Sequence, residues 1–329
     1  MNLPEVITAG ETMIILNPDQ SVPLEYAHSF TKQIGGAESN VAVGLSRLGH
    51  RAGWISRIGN DPFGNYVRQV IRGEGVDTSL VSVDHEAPTG VFFKERKSGN
   101  AVNVYYYRAG SAASRLDKSL LDRSYFKEAR YVLVSGILPA LSESCSEVTE
   151  ELLKISREQN IPVVFDPNIR LKLWPDRQEA VTRLNHIAER SDIILIGQTE
   201  GWQLTGSYDE EEIAAFYRKK NPEVTVIVKL GAKGAYFSTP EESGTVPGYP
   251  VSEVIDPIGA GDAFAAGFLS ACLKNAGMKE AVKYGNAAGA VTVQVSGDIE
   301  GFPREAELDA MIRQAEAETE GTVVEEVNR

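Results

Sequence analysis

The chain has 329 residues, with 33 basic against 46 acidic side chains and a formal charge of −13 with histidine neutral. A surface this acidic repels nucleic acid and anionic membrane, so an anionic ligand has to be held by a local pocket and not by the overall field. Cys145 and Cys272 stand far apart in helix-like segments, which argues against a disulfide framework and favours a reduced, cytoplasmic setting. The opening "MNLPEVITAGETM" lacks the basic end and apolar run of a signal peptide, and no stretch approaches the ~18 apolar residues of a membrane helix.

In chain order, "VITAG" (6–10) is a short strand. "ESNVAVGLSRLG" puts Val41, Leu45 and Leu48 on one helical face, with Gly49 as its stop. "AGWISRIG" is a strand, and the next helix starts with Asp61 as cap and Pro62 at its first position. The region "TGVFFKERKSGNAVNVYYYRAG" (89–110) reads as two strands joined at Lys97-Ser98-Gly99-Asn100, with no helix between them. After it, "RYVLVSG", "IPVVFD", "DIILIG" and "VTVIVKLG" are near-continuous apolar strands, separated by helices near 142–158, 175–190 and 209–220. Such runs belong to a parallel sheet covered on both faces. The expected fold is a three-layer α/β/α doubly wound, mainly parallel sheet with a small antiparallel β lid. Its core takes 1–12, 34–87 and 112–318, its lid 13–33 and 88–111, and an acidic tail 319–329.

The stretch with chemistry in it is "EVIDPIGAGDAFAAGFLSACL" (253–273), where Asp262 directly follows Gly259-Ala260-Gly261 at a helix start. A glycine turn at a helix N-terminus receives anions, and the amides of 259–261 form such a hole. An acid beside it repels an anion but accepts a proton from a hydroxyl that attacks one, which is the division of labour in phosphoryl transfer. A plain capping acid after a tight turn is the bland alternative. Other nucleotide signatures are missing: there is no G-x-x-x-x-G-K-[ST], and Phe264 stands where a G-x-G-x-x-G dinucleotide site needs its third glycine. That absence, and the late position of the turn, count against a nicotinamide-dependent oxidoreductase. His28, His50, His85 and His186 show no metal-ligand spacing.

"DPIGAGDAF" (256–264) resembles the D-T-x-G-A-G-D motif of the ribokinase-like (PfkB) carbohydrate kinases, with Pro257 in place of threonine. "GGAESNVAVGLSRLG" (35–49) and "SRIGNDPFG" (56–64) resemble that family's N-terminal motif. The resemblance implies that Asp262 is the catalytic base and that the amides of Gly259, Ala260 and Gly261 stabilise the transferring phosphoryl group. It places Gly35, Gly36, Ala37 and Asn40 at the sugar, and ATP across the carboxyl edge of the sheet. "VKLGAKGAYF" (228–237) resembles the turn under the nucleotide, offering Lys229, Gly231, Lys233 and Gly234. Asn286 and Ala290, in "YGNAAGAVTVQVSGD" (284–298), fall where the adenine pocket is expected. "GQTEGWQLTG" (197–206) keeps only the glutamate of the family's N-x-x-E motif, so Glu200 is expected to organise Mg2+ through water. A monovalent cation and pairing of copies through the lid are further properties the family implies.

The substrate class is read from three more stretches and one aspartate. "GETMIILNP" (10–18) has no sugar-gripping aspartate before Asp19 and resembles the opening of 2-keto-3-deoxygluconate kinases. "VYYYRAGSAAS" (104–114) and "FDPNIRLKLW" (165–174) resemble two further motifs of that subgroup, and Asp298 matches its substrate-site aspartate. By this resemblance Tyr106, Arg108 and Arg170 hold the substrate. Strand alternation sets Tyr106 and Arg108 on one face, and converging guanidinium groups suit a carboxylate. Phe92 replaces a tyrosine expected to touch the substrate. A sugar acid is therefore expected, with fructose or 5-dehydro-2-deoxygluconate as the alternatives within the class.

Overall fold

The computed structural model describes residues 3–20, 22–96 and 102–319. Its strands are β1 (Val6–Ala9), β2 (Met13–Pro18), β3 (Phe30–Gly35), β4 (Ala52–Gly59), β5 (Val81–Asp84), β6 (Val91–Arg96) and β7 (Val102–Tyr107). Then come β8 (Tyr131–Ser135), β9 (Val163–Asp166), β10 (Ile193–Gly197), β11 (Thr225–Lys229), β12 (Ala235–Ser238) and β13 (Ser243–Val246). Among the described residues they form two sheets. The large one runs β13-β12-β11-β10-β9-β8-β1-β4-β5, parallel from β11 to β5 with an antiparallel edge at β12 and β13. Its apolar runs are continuous because alternate residues serve two cores. Leu133, Val164 and Leu195 pack on one face, and Val132, Val163 and Ile194 on the other.

One face is covered by helices that include Ala37–Arg47, Ala260–Leu273 and Met278–Thr292, the other by helices that include Glu143–Gln159 and Arg177–Ala188. The expected capping of the helix Pro62–Gly73 is present: Asp61 accepts the Gly64 amide at 2.7 Å. Gly49 ends the helix before it with φ +85°, a conformation glycine adopts without strain.

The second sheet runs β3-β2-β6-β7 and corresponds to the expected lid, with two adjustments. β2 and β6 pair in parallel, because both continue from strands that leave the large sheet at the same edge, β1 and β5. Its β3 also runs to Gly35, so a glycine assigned to the substrate site lies at the sheet's own end. The edge strands β5 and β13 carry half-buried or exposed residues and were not recognisable as apolar runs. The Lys97–Asn100 tip and residues 320–329 of the acidic tail lie outside the described residues. No helix among those described is long and apolar enough to cross a membrane.

The helices Ala260–Leu273 and Met278–Thr292 approach closely, and the first of them carries the glycine turn. A Cβ at Gly267 would sit 2.5 Å from the Tyr284 carbonyl oxygen and 2.9 Å from Ala288 Cβ. Gly267→Val is therefore expected to destabilise the protein by about 1–3 kcal/mol, the usual scale of overpacking. Urea unfolding measures it. An unchanged midpoint would contradict the close approach.

Candidate active site

The carboxyl ends of the parallel strands and the inner face of the small sheet enclose a cavity of about 450 Å³. Open α/β sheets bind ligands at this edge. Its floor is the turn before the helix Ala260–Leu273. Gly259 has φ +82°, and a Cβ there would meet the Asp298 carbonyl oxygen at 2.3 Å, so both conformation and space demand glycine. The amides of Gly259 and Gly261 have no acceptor among the described residues, as expected for the open first turn of a helix, while the Ala260 amide makes a long 3.4 Å contact to the Pro257 carbonyl.

Asp262 projects into the same space and accepts a 2.8 Å hydrogen bond from Asn40 Nδ2. Its side chain keeps some exposure to the cavity while protein surrounds it elsewhere. That loss of solvent pushes its carboxyl up to about 8, against the Asn40 hydrogen bond and with help from the charges of Asp166 and Asp298. An acid poised there is a proton acceptor near neutral pH.

Of the residues expected at the sugar, Gly35, Gly36, Ala37, Asn40, Tyr106, Arg108, Arg170 and Asp298 all line this cavity, as do Glu200 and Lys229. Arg108 is buried and already engaged. Its Nε donates to Glu11 Oε2 at 2.6 Å, Nη2 pairs with the same oxygen, and Ser111 completes Glu11 at 2.5 Å. Arg170 is exposed at the cavity mouth, and among the described residues it donates only to the Ile169 carbonyl. It does not pair with Asp166, whose carboxylate is taken by Lys229 at 2.8 Å. Burial works against the Lys229 ammonium, yet Asp166 and Glu200 hold its pKa above the usual value.

Glu200 accepts the Gly197 amide at 2.8 Å and the Ile169 amide at 3.0 Å. Burial first, then the neighbouring Asp166, raises its pKa. No cluster of three or more metal-ligating side chains occurs among the described residues.

A second, apolar cavity of about 390 Å³ adjoins the first, sharing Lys229, Pro257 and Gly261. It gathers Gly231, Gly234, Asn286 and Ala290, all expected at a nucleotide, together with Ala260 of the glycine turn and the rings of Tyr249 and Phe264. Asn286 spends its amide on the Val246 and Pro247 carbonyls, so it shapes this wall from behind. Lys233 lies exposed in the 231–233 turn and lines neither cavity.

Glu11 and Lys94 are among the cavity residues that sequence reasoning did not mark. Glu11, in "GETM", lies where the chain passes from β1 to β2. Lys94 follows Phe92 by two residues on β6, so the alternation that selected Tyr106 could have selected it. Its ammonium is 2.8 Å from Asp298 Oδ1.

An anion-receiving helix start, a poised carboxylate beside it and an adjoining apolar slot define a phosphoryl-transfer enzyme of the α/β class. Comparison with known proteins makes this specific. Residues 3–305 match the model of the pfkB family carbohydrate kinases, and the chain belongs to that family. It is similar to the 2-dehydro-3-deoxygluconokinase of Bacillus subtilis, 40% identical over 309 residues that cover 94% of this chain and 95% of that protein. Among solved structures it resembles a PfkB protein from Polaromonas sp. JS666, with a TM-score of 0.86, 41% identity, and coverage of 93% of this chain and 99% of that one. A putative ribokinase II from E. coli, solved in complex with ATP and Mg2+, matches with a TM-score of 0.87 at 27% identity over 95% of this chain and 100% of its own.

Asp262→Asn keeps the shape of the site and removes the proton acceptor. Turnover is expected to fall by about 10²–10⁴, with nucleotide affinity retained because the amides and the apolar slot are untouched. Steady-state rates and a nucleotide titration measure the two separately. Near-normal turnover would contradict the role of Asp262.

Proposed function

We propose that this carbohydrate kinase transfers the terminal phosphoryl group of ATP to the 6-hydroxyl of 2-dehydro-3-deoxy-D-gluconate. The nucleotide base occupies the slot beside Tyr249 and Phe264, and the phosphates reach the amides of 259–261 past Lys229. The 6-hydroxyl faces Asp262, which takes its proton as the oxygen–phosphorus bond forms. The bond to the bridging oxygen breaks, and ADP leaves with that electron pair. Glu200 and Asp166, which line the cavity, would hold Mg2+ through water, and the ion would supply charge neutralisation at the phosphates.

The observation that carries the sugar acid is the state of Arg170. The other cavity cations, Lys94, Arg108 and Lys229, each already have an acid partner, whereas the Arg170 guanidinium has no carboxylate among the described residues. A planar two-donor fork at the cavity mouth fits a substrate carboxylate. Arg108 adds to that field with its free edge, and Tyr106 packs against it with the guanidinium 5.7 Å from its ring centre. The carboxylate then lies at the mouth and the far hydroxyl at the base. The 40% identity to a 2-dehydro-3-deoxygluconokinase supports the same substrate.

Arg170→Ala tests the assignment. A hydrogen bond to a charged group is worth about 1.5–3 kcal/mol, so kcat/KM on the keto-deoxy acid should fall roughly 10- to 150-fold. The loss on fructose should be much smaller. Arg170→Lys should recover only part, because an ammonium lacks the fork. Equal losses on both substrates would overturn the sugar-acid reading and leave a kinase for neutral sugars.

A further inference from the structure

We infer that Lys94 is a positioning residue that couples the small sheet to the geometry of the anion-receiving turn. Lys94 belongs to β6, yet its ammonium reaches across the cleft to the large layer, 2.8 Å from Asp298 Oδ1 and 3.8 Å from Asp256 Oδ2. It is 4% exposed. Neither acid is remote from the chemistry. Asp256 begins the turn from within: its Oδ1 accepts the Ile258 amide at 3.1 Å, and its Oδ2 the Gly297 amide at 3.4 Å. Asp298 braces the turn from outside, its carbonyl oxygen filling the place a Cβ on Gly259 would take. The Asp298 carboxylate in turn lies against Gly35 of β3, where a Cβ would stand 2.3 Å from Oδ2.

Two buried carboxylates flanking one turn repel each other and favour taking up a proton. The cation that prevents this comes from the other sheet, so it is in place only when that sheet is seated on the cleft. Asp298 faces Lys94 from β6, Asp256 from the segment before the turn, Asp262 from the helix beyond it and Asn40 from the helix Ala37–Arg47. Glu300, on its own segment, turns to the Ile299 amide. Burial raises the Asp298 pKa, and Lys94 is the charge that opposes the rise. Removing Lys94 therefore lets the Asp298 carboxyl hold its proton to higher pH, and the charged carboxylate beside Gly35 forms only above that point.

The inference rests on the kinase activity and not on the choice of sugar acid. Its test uses whichever sugar the wild-type protein phosphorylates best. The measurement is kcat and both KM values from roughly pH 5 to 9 for wild type, Lys94→Met, Lys94→Arg, Asp298→Asn and the double variant that combines Lys94→Met with Asp298→Asn. For Lys94→Met the account expects kcat to fall by on the order of 10- to 100-fold, the scale of a misplaced transition-state donor. KM for ATP should change little, and the acidic limb of kcat should move to higher pH. Lys94→Arg should recover most of the rate. The double variant removes both charges, so it should be no slower than Asp298→Asn alone and should lack the moved limb. It also serves if Lys94→Met does not fold. A raised sugar KM with unchanged kcat and an unmoved acidic limb would overturn the inference, making Lys94 an ordinary substrate contact. Equal independent losses in the double variant would overturn it too. Failure of the sugar-acid reading would show separately, as wild-type protein that prefers a neutral sugar.

Discussion

A proton acceptor and an anion hole compete for the same few ångströms. The helix start at Gly259–Gly261 favours negative charge, and Asp262 in its first turn has to be negative to take the hydroxyl proton as proposed. The structure reconciles them by enclosing the carboxyl in protein with the charges of Asp166 and Asp298 nearby, which together outweigh the Asn40 hydrogen bond, so that its proton is held until about pH 8. This needs contributions from distant parts of the chain. Asn40 comes from the helix after β3, Asp166 from the end of β9 and Asp298 from the loop after the helix Met278–Thr292. The sheet order and the chain's two excursions into the small sheet are what bring them together.

The cations obey the same constraint. Lys94, Arg108 and Lys229 each face an acid at hydrogen-bonding distance inside the cleft. Buried pairs contribute little to stability, because desolvation offsets their attraction. What they supply is position. They fix the polar groups before substrate arrives, so little reorganisation remains for the transition state. Glu38 beneath them shows the cost of enclosure: burial lifts its carboxyl to about 7, and its Oε2 has no hydrogen-bond partner.

The large sheet was legible because a parallel sheet buried on both faces needs uninterrupted apolar runs, and β8 to β11 have them. The turn was legible because Gly259 has a backbone only glycine adopts cheaply. Edge strands β5 and β13 were not, since half-buried residues leave no run to see. Within the site, spacing marked the residues fixed by one local turn or one strand face, such as Asp262 and Tyr106. It could not mark Arg108 as the partner of Glu11, 97 positions away, or Asp166 as the partner of Lys229 and not of Arg170. Side chains choose partners across the cleft, and that choice depends on packing no single stretch encodes. Lys233 shows the same limit from the other side: its turn was legible, but its side chain faces solvent and lines neither cavity.

The central claim is that Asp262 is kept protonated by its surroundings until near neutral pH and is then ready to accept the hydroxyl proton. Direct titration of its carboxyl tests this, by carbon-detected NMR of the free protein with Asp262→Asn assigning the resonance. The account predicts a midpoint displaced upward by several units, near pH 8. A midpoint at the ordinary value for aspartate, about 4, would contradict it, since Asp262 would then be a fixed anion beside the hole.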